Sequence, residues 1–365
     1  MKILFSLLII PIFFLNTVSQ NTFLTSNYKK KYEKVKIYYG YVNKAEEKIM
    51  KGQYSLASKC YTIAFKAKTP FLQDLKNALE AELNAGKEYD VILNLLKIKM
   101  SKMLYRQTKD EFINDIKNDS VFQSLSYIDT LVLSLKTANI KTLYNRILSN
   151  KLDLLIKRDQ QARIKYDNTP EQTIKLNKTD SINLIKLLHL YNKYGSINEN
   201  IVGMKGMLAV DMILTHNSKK NRKVWFSKIK EEVLKGDFNN RIFADIIDNY
   251  NYGAKMSEYG ARLGHELYNK FLFEPLSNKK AVTVNNRRHE IFLEDYMSAI
   301  KKLVWQWRNK QKGIFTWKFY PTASYIWIEK DATKNDKKKY LIQQKEIIEQ
   351  KKNSNTIFFI YNPEK

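Results

Sequence analysis

The sequence predicts a mainly α protein, on three observations. Glycine and proline are scarce, at 11 and 6 of 365 residues, which leaves a turn-rich β-sandwich without its corners. Apolar residues recur at helical spacing through most of the chain. Only near the C-terminus does the period fall to two, over GIFTWKFY (313–320) and SYIWIEK (324–330). The expected organisation is a helical-repeat-like N-terminal half, a helical second domain and a small α+β tail with a β-hairpin.

Residues 1–19 read as a secretion signal. Lys2 gives a short positive start, Ile3 to Leu15 is almost wholly apolar, and Thr17 and Ser19 are small residues flanking a cut before Gln20. A membrane anchor needs about 20 apolar residues, whereas this run is shorter and holds Pro11. No cysteine follows the run to carry a lipid. The chain is therefore expected to be exported, periplasmic or secreted, with no transmembrane segment once the signal is removed. Its one cysteine, Cys60, excludes an internal disulfide, so an exported chain must be held by its core. Apolar residues make up 44% of the sequence, enough for an ordinary globular core.

The formal charge is +26, from 63 basic and 37 acidic residues. Such a surplus attracts phosphate polymers and anionic membranes. However, Lys, Asn, Ile and Tyr are all abundant, Arg and Ala are scarce, and the lysines are scattered along the chain. That is the profile AT-rich coding imposes. The charge reads as compositional, and nucleic acid is not an expected partner.

Residues 30–125 predict helix pairs. Val42, Ala45 and Ile49 share one face, and Lys51-Gly52-Gln53 breaks the pattern. Tyr54, Ala57, Tyr61 and Ala64 form the next stripe, closed by Pro70. Leu72, Leu75, Leu79 and Leu83 follow and end at Gly86; Tyr89, Ile92, Leu96 and Met100 form a fourth. Gly52 and Gly86 lie 34 residues apart, a tetratricopeptide period. The first unit resembles a tetratricopeptide repeat at Ala45, Gly52, Tyr54, Ala57, Tyr61, Ala64 and Pro70. The second is degenerate, with Val91, Leu95 and Ile98 where the first has Ala57, Tyr61 and Ala64. Two units are too few to stand alone, so Asp110 to Leu125 is expected to cover them. The resemblance implies protein or peptide partners through these surfaces.

Residues 126–310 are expected to form the helical second domain. Leu148, Leu152 and Leu155 share a face within 126–165. Residues 166–178 are polar, hold Pro170 and predict a loop, after which Thr179-Asp180 caps a helix that Tyr194-Gly195 ends. Gly203 to His216 is apolar nearly all round, the mark of a central helix. Helices are predicted over 221–235, 239–250 and 257–272, and from about Glu290 to Lys310. The tail, 311–365, adds to the hairpin a charged helix from Lys334 to Lys352 and an apolar run, TIFFIYN (356–362), able to join as a third strand.

One constellation carries possible chemistry. On a helix, Asp159 and Arg163 are one turn apart and can pair. An exposed pair of that kind is worth a few tenths of a kcal/mol, so a functional role requires other polar groups to converge. Asp180, Asn183, His216, Asp248, Tyr259 and Arg287-Arg288 are the candidates. Residues 159–300 resemble a bacterial domain family of unknown function, through Asp159, Gln160 and Arg163, then Asp180 and Asn183, then Gly195. Gly203, His216, Asp248 and Tyr259-Gly260 continue the series, and Arg287, Arg288, Leu293 and Tyr296 close it. Ser196-Ile197, Asn249 and Ser257-Glu258 depart from its pattern. The resemblance implies a shared polar site but assigns no reaction. Buried charges must find one another. The Asp159–Arg163 helix is thus expected beside the end of the Gly203–His216 helix, with an arginine of the 287–288 pair nearby.

No metal or cofactor is expected. His265-Glu266 and His289-Glu290 each lack the second histidine of a zinc-protease helix, and His189 lies among leucines. Cys60 sits in a repeat helix with no histidine in register, and no phosphate-binding glycine loop or nucleophile elbow is present. Trp305, Trp307, Trp317 and Trp327 read as glue between the small sheet and its neighbour helix. The leading functional reading is a non-enzymatic binding or scaffold protein. The alternative is an envelope or secreted enzyme of hydrolase type, with a polar site around Asp159, Arg163, His216 and Asp248. Expressed with its own leader, the protein should lose about 2 kDa on export; an intact Met1 terminus in the mass spectrum of the exported fraction would refute the signal.

Overall fold

A computed structural model describes residues 9–104, 107–164, 169–217, 219, 221–248, 258–261, 264–267, 270–273, 276–311 and 357–360. The fold is mainly α, and no helix among the described residues is long and apolar enough to cross a membrane. The first half is a succession of neighbouring helices: α1 (Ile9–Met50), α2 (Tyr54–Ala67), α3 (Leu72–Asn84) and α4 (Tyr89–Met103). Each packs on the next. Gly52, at φ +68°, makes the tight turn after α1 that an L side chain resists. Ala45, Ala57 and Ala64 are fully buried and let α1 and α2 approach closely, while Tyr61 fills the space beside them.

The cover follows as α5 (Lys109–Asn118) and α6 (Ser120–Gln123). Thr108 and Glu111 form a capping box at the start of α5. Phe112, Ile113, Ile116, Phe122 and Leu125 enter the same core as α1 to α4. So do Leu131, Val132 and Leu135 of α7 (Ile128–Thr137), which the sequence pattern groups with the second half.

A second core is built on α8 (Arg146–Ile164), α9 (Pro170–Tyr194), α10 (Glu199–His216), α11 (Arg222–Leu234) and α12 (Asn240–Asp248). α9 departs from expectation. It begins at Pro170, with Thr169 accepting from the Gln172 N–H, so 170–178 is helix. Pro170 was expected to mark a loop; it occupies the first helical position, where its missing N–H costs nothing. Thr179 and Asp180 lie inside the helix and cap nothing, which frees the Asp180 carboxylate for tertiary contacts.

Two further expectations are corrected. The helix predicted over 257–272 is replaced by a turn at 258–261 and by strands β1 (Gly264–Leu267) and β2 (Lys270–Phe273). Gly260, at φ +64°, and Gly264 interrupt the helical period. β1 pairs antiparallel with β2, Gly264 opposite Phe273, and β2 pairs antiparallel with β3 (Ile357–Ile360), Lys270 opposite Ile360. The C-terminal apolar run thus joins this hairpin. The hairpin and charged helix expected between 313 and 352 lie outside the described residues.

The helix expected from about Glu290 to Lys310 is two: α13 (Asn278–Glu290) and α14 (Tyr296–Gln311). Between them Ile291, Phe292 and Leu293 are all buried, with Phe292 at φ +61°. Three consecutive residues cannot share one helix face. Breaking the helix sends Phe292 into the first core and Ile291 and Leu293 into the second, so this segment pins the two together.

The cores also meet through charge. Glu46 of α1, fully buried, accepts from both terminal nitrogens of Arg241 of α12, with Nη1 at 2.6 Å from Oε1. Lys302 of α14 lies 2.6 Å from Glu46 Oε2, and Asn43 accepts from both cations. Glu294 sits 3.5 Å from Lys302 and 3.8 Å from Arg241, and among the described residues neither of its carboxylate oxygens has a hydrogen bond. Burial pushes the Glu294 carboxyl up, but Lys302, Arg241 and Arg288 together outweigh it and hold the group at about 2. Removing one partner of such a network leaves charges buried and uncompensated. Glu46→Ala should therefore lower unfolding stability by about 3 kcal/mol or more, read from the denaturant midpoint against wild type.

Candidate functional site

α8 and α10 run side by side and parallel, and their register is fixed by a kink. Gly203, at φ +66°, breaks the backbone of α10 one turn from its start. The kink is answered from α8: Asn145 N–H donates to Ile201 O at 2.7 Å, and Ser149 Oγ donates to Val202 O at 3.3 Å. Gly206 lets the helices close; a Cβ there would lie 3.3 Å from Leu152 Cδ1 of α8. With the starts pinned, the last turns of α8 and α10 come level and bring Asp159 to His216.

Asp159 is fully buried. Its Oδ1 lies 3.0 Å from His216 Nδ1 and 3.0 Å from Arg163 Nη1, and its Oδ2 accepts from Gln160 Nε2 at 2.8 Å. Arg163 reaches across to α9, where its Nη2 lies 2.8 Å from Asp180 Oδ1. Burial raises the Asp180 carboxyl above its ordinary value, against the pull of Arg163. Asn217, which follows α10, donates to Asp180 O at 3.2 Å and to Ile213 O at 2.8 Å, fastening α9 to the end of α10. Asn183, one turn on from Asp180, is fully buried, and among the described residues neither amide atom has a hydrogen-bond partner. Arg163 and His216 keep 23% and 18% of their side-chain surface exposed, so the cluster opens to solvent on their side.

The other candidates gather elsewhere. Asp248, at the end of α12, is fully buried and accepts from the backbone N–H groups of Glu258 (2.8 Å), Tyr259 (3.2 Å) and Ala261 (2.9 Å). Tyr259 O accepts from Arg288 Nη1 at 2.7 Å. Glu258 pairs with Arg222 Nη2 at 2.8 Å and with Arg287 Nη1 at 3.6 Å. The expected approach of the 287–288 pair to Asp159 is thus not made. Arg288 is buried against a backbone carbonyl, and Arg287 faces Glu258. Asp248, Tyr259, Arg287 and Arg288 gather at the 258–261 turn, while Asp159, Gln160, Arg163, Asp180 and His216 form the polar cluster.

The cluster contains a set of atoms able to hold a cation. Asp159, Asp180 and His216 each bring one ligand atom within 4.8 Å of the others. Sequence spacing misses this trio because its members come from three helices. Arg163 bridges both carboxylates and already supplies the positive charge a metal would bring. His189 lies on α9, and Trp305 packs against the first core; Trp317 and Trp327 lie outside the described residues. Cys60 is a half-buried free thiol on α2. Comparison with family models, curated proteins and solved structures found no match.

Asp248→Ala would leave three backbone N–H groups without their carboxylate. At about 1–3 kcal/mol for each buried donor left unsatisfied, the variant should lose at least about 3 kcal/mol in urea unfolding. A loss under about 1 kcal/mol would show that the loop is held by other means.

Proposed function

We propose that the cluster at the ends of α8 and α10 is a proton-transfer site of a hydrolase-type enzyme. His216 is its base, Asp159 its orienting group and Arg163 an electrostatic contact for an anionic substrate group. The observation that carries this reading is the Asp159–His216 pair. A buried aspartate holds Nδ1 at 3.0 Å, and among the described residues Nε2 has no hydrogen-bond partner. A carboxylate on Nδ1 fixes the tautomer and the ring orientation, which leaves Nε2 to take a proton. Asp248 has no part in the reading, since its oxygens serve the 258–261 turn.

Sequence alone ranks the scaffold reading first, and one observation supports it. A cavity of about 270 Å³ lies between α2 and α4, lined by Phe65, Lys66, Val91, Asn94, Leu95 and Ile98. A partner peptide fits such a surface.

The two readings separate experimentally. The full chain, assayed against chromogenic carboxylic and phosphoric esters, should turn over at least one class. His216→Ala and Asp159→Asn should each lower kcat/KM by about 10²-fold or more, with circular dichroism unchanged. An inert wild-type protein, or a His216→Ala variant as active as wild type, would remove the enzymatic reading and leave the scaffold.

A further inference from the structure

Where the two halves meet, a second cavity of about 120 Å³ is lined by Lys31, Lys68, Lys102 and Lys235 against only two acids, Glu199 and Asp237. The acids are already used. Asp237 pairs with Lys31 at 2.7 Å, and Glu199 pairs with Lys102 at 3.1 Å and accepts from Leu72 N–H at 2.8 Å. Lys235 is paired with Glu231 and Glu232. Among the described residues Lys68 has no carboxylate within salt-bridge distance. Its Nζ donates to Thr69 O at 2.8 Å and stands 3.8 Å from the centre of the Phe71 ring and 4.6 Å from that of Tyr38.

Ring faces stabilise a cation but do not neutralise it, and an ammonium has three donors, of which one is spent on a carbonyl. Burial, and then repulsion from Lys102, push the Lys68 ammonium down to about 7, against the weaker pull of Asp74, Glu199 and Asp237. Gly236, at φ +75°, lets Lys68 and Val35 pack directly against the backbone. A Cβ on it would come within 2.6 Å of Lys68 Cε and 2.7 Å of Val35 Cγ2.

A neighbouring cavity, about 130 Å³, shares Phe71 and Glu199 with the first and is lined further by Met204, Met207, Leu208 and Ile242, with Asp211 among its polar residues. One space is cationic and the next is mostly apolar, with the Phe71 ring common to both. Cavities at the junction of two packed units, apolar with a few convergent polar groups, are where small ligands bind.

We propose that this pair of cavities binds a small amphiphilic anion: a carboxylate or phosphate group at Lys68, flanked by Lys102, with a short apolar chain passing Phe71 towards Met207 and Leu208. The anion supplies the counter-charge Lys68 lacks, and the chain covers the apolar lining.

Calorimetric titration of the full chain with octanoate, octyl phosphate, acetate, inorganic phosphate and octanol tests both halves of the proposal. Octanoate or octyl phosphate should bind at least about 10-fold more tightly than the short anions, through chain burial, and than octanol, through the charge. The tighter of the two identifies the headgroup. Lys68→Met should weaken that binding about 10-fold or more and Lys68→Arg by much less. Leu208→Glu, at an exposed position, should remove the advantage of the chain and leave inorganic phosphate binding as it was. In the wild-type protein, which needs no variant to fold, octyl phosphate should slow acetylation of Lys68 by acetic anhydride, read by mass spectrometry. Octanol binding as tightly as octanoate, unchanged affinity in Lys68→Met, or an unprotected Lys68 would each overturn the proposal. His216→Ala should bind these probes as wild type does, so this outcome is independent of the proton-transfer reading.

Discussion

The structure depends on one buried carboxylate. Glu46 sits on the apolar stripe of α1 between Val42 and Ile49, where an unpaired charge costs several kcal/mol. Its compensation comes from Arg241 and Lys302, both from the far half of the sequence. Glu46 therefore has its compensation only when the two halves are packed together. The same closure brings Phe292 into the first core, and it brings the hydroxyl of Tyr39 to the Asn240 N–H that donates to it. Hydrophobic burial supplies most of the driving force for both cores. The ion network adds geometry, since a bidentate Arg241–Glu46 contact is satisfied at only one relative placement of α1 and α12.

Closure at that junction has a functional consequence. The lysine-lined cavity exists only because the α2–α3 connection, the end of α4 and the segments before α10 and α12 converge there. The Asp159–His216 pair is positioned differently, by the local register of α8 against α10. A kink at Gly203 is answered by Asn145 and Ser149 at one end, and the ion cluster forms at the other. The two sites can therefore change independently, one with the packing of the halves and the other with the pairing of two helices.

Much of the first half was legible because its signals are local. The stripes through Val42, Ala57, Leu75 and Ile92 and the breaks at Gly52 and Gly86 give the end of α1 and the extents of α2, α3 and α4 within a few residues of those observed. Legibility failed where one residue type supports two structures. Pro170 marks a loop or a first helical position, and only the Thr169 cap decides between them. The 257–272 stretch has apolar residues at both helical and alternating spacing, and its pairing with Ile357–Ile360 is invisible to a local reading. Of the candidate site, the cluster of Asp159, Gln160, Arg163, Asp180 and His216 was legible through order and residue type. The placement of Arg287 and Arg288 was not, since nearby Glu258 and the Tyr259 carbonyl compete for them.

By itself the sequence determined that the chain is mainly α and where α2, α3 and α4 start and stop. Those properties follow from periodicity, caps and glycines, all read within a turn or two of the residue concerned. Tertiary structure decided which charges met. Glu46 with Arg241, Asp159 with His216 and the solitary position of Lys68 each result from helices distant in sequence coming to one place. Charge pairing is set by distance and burial, and neither is encoded within a single helix.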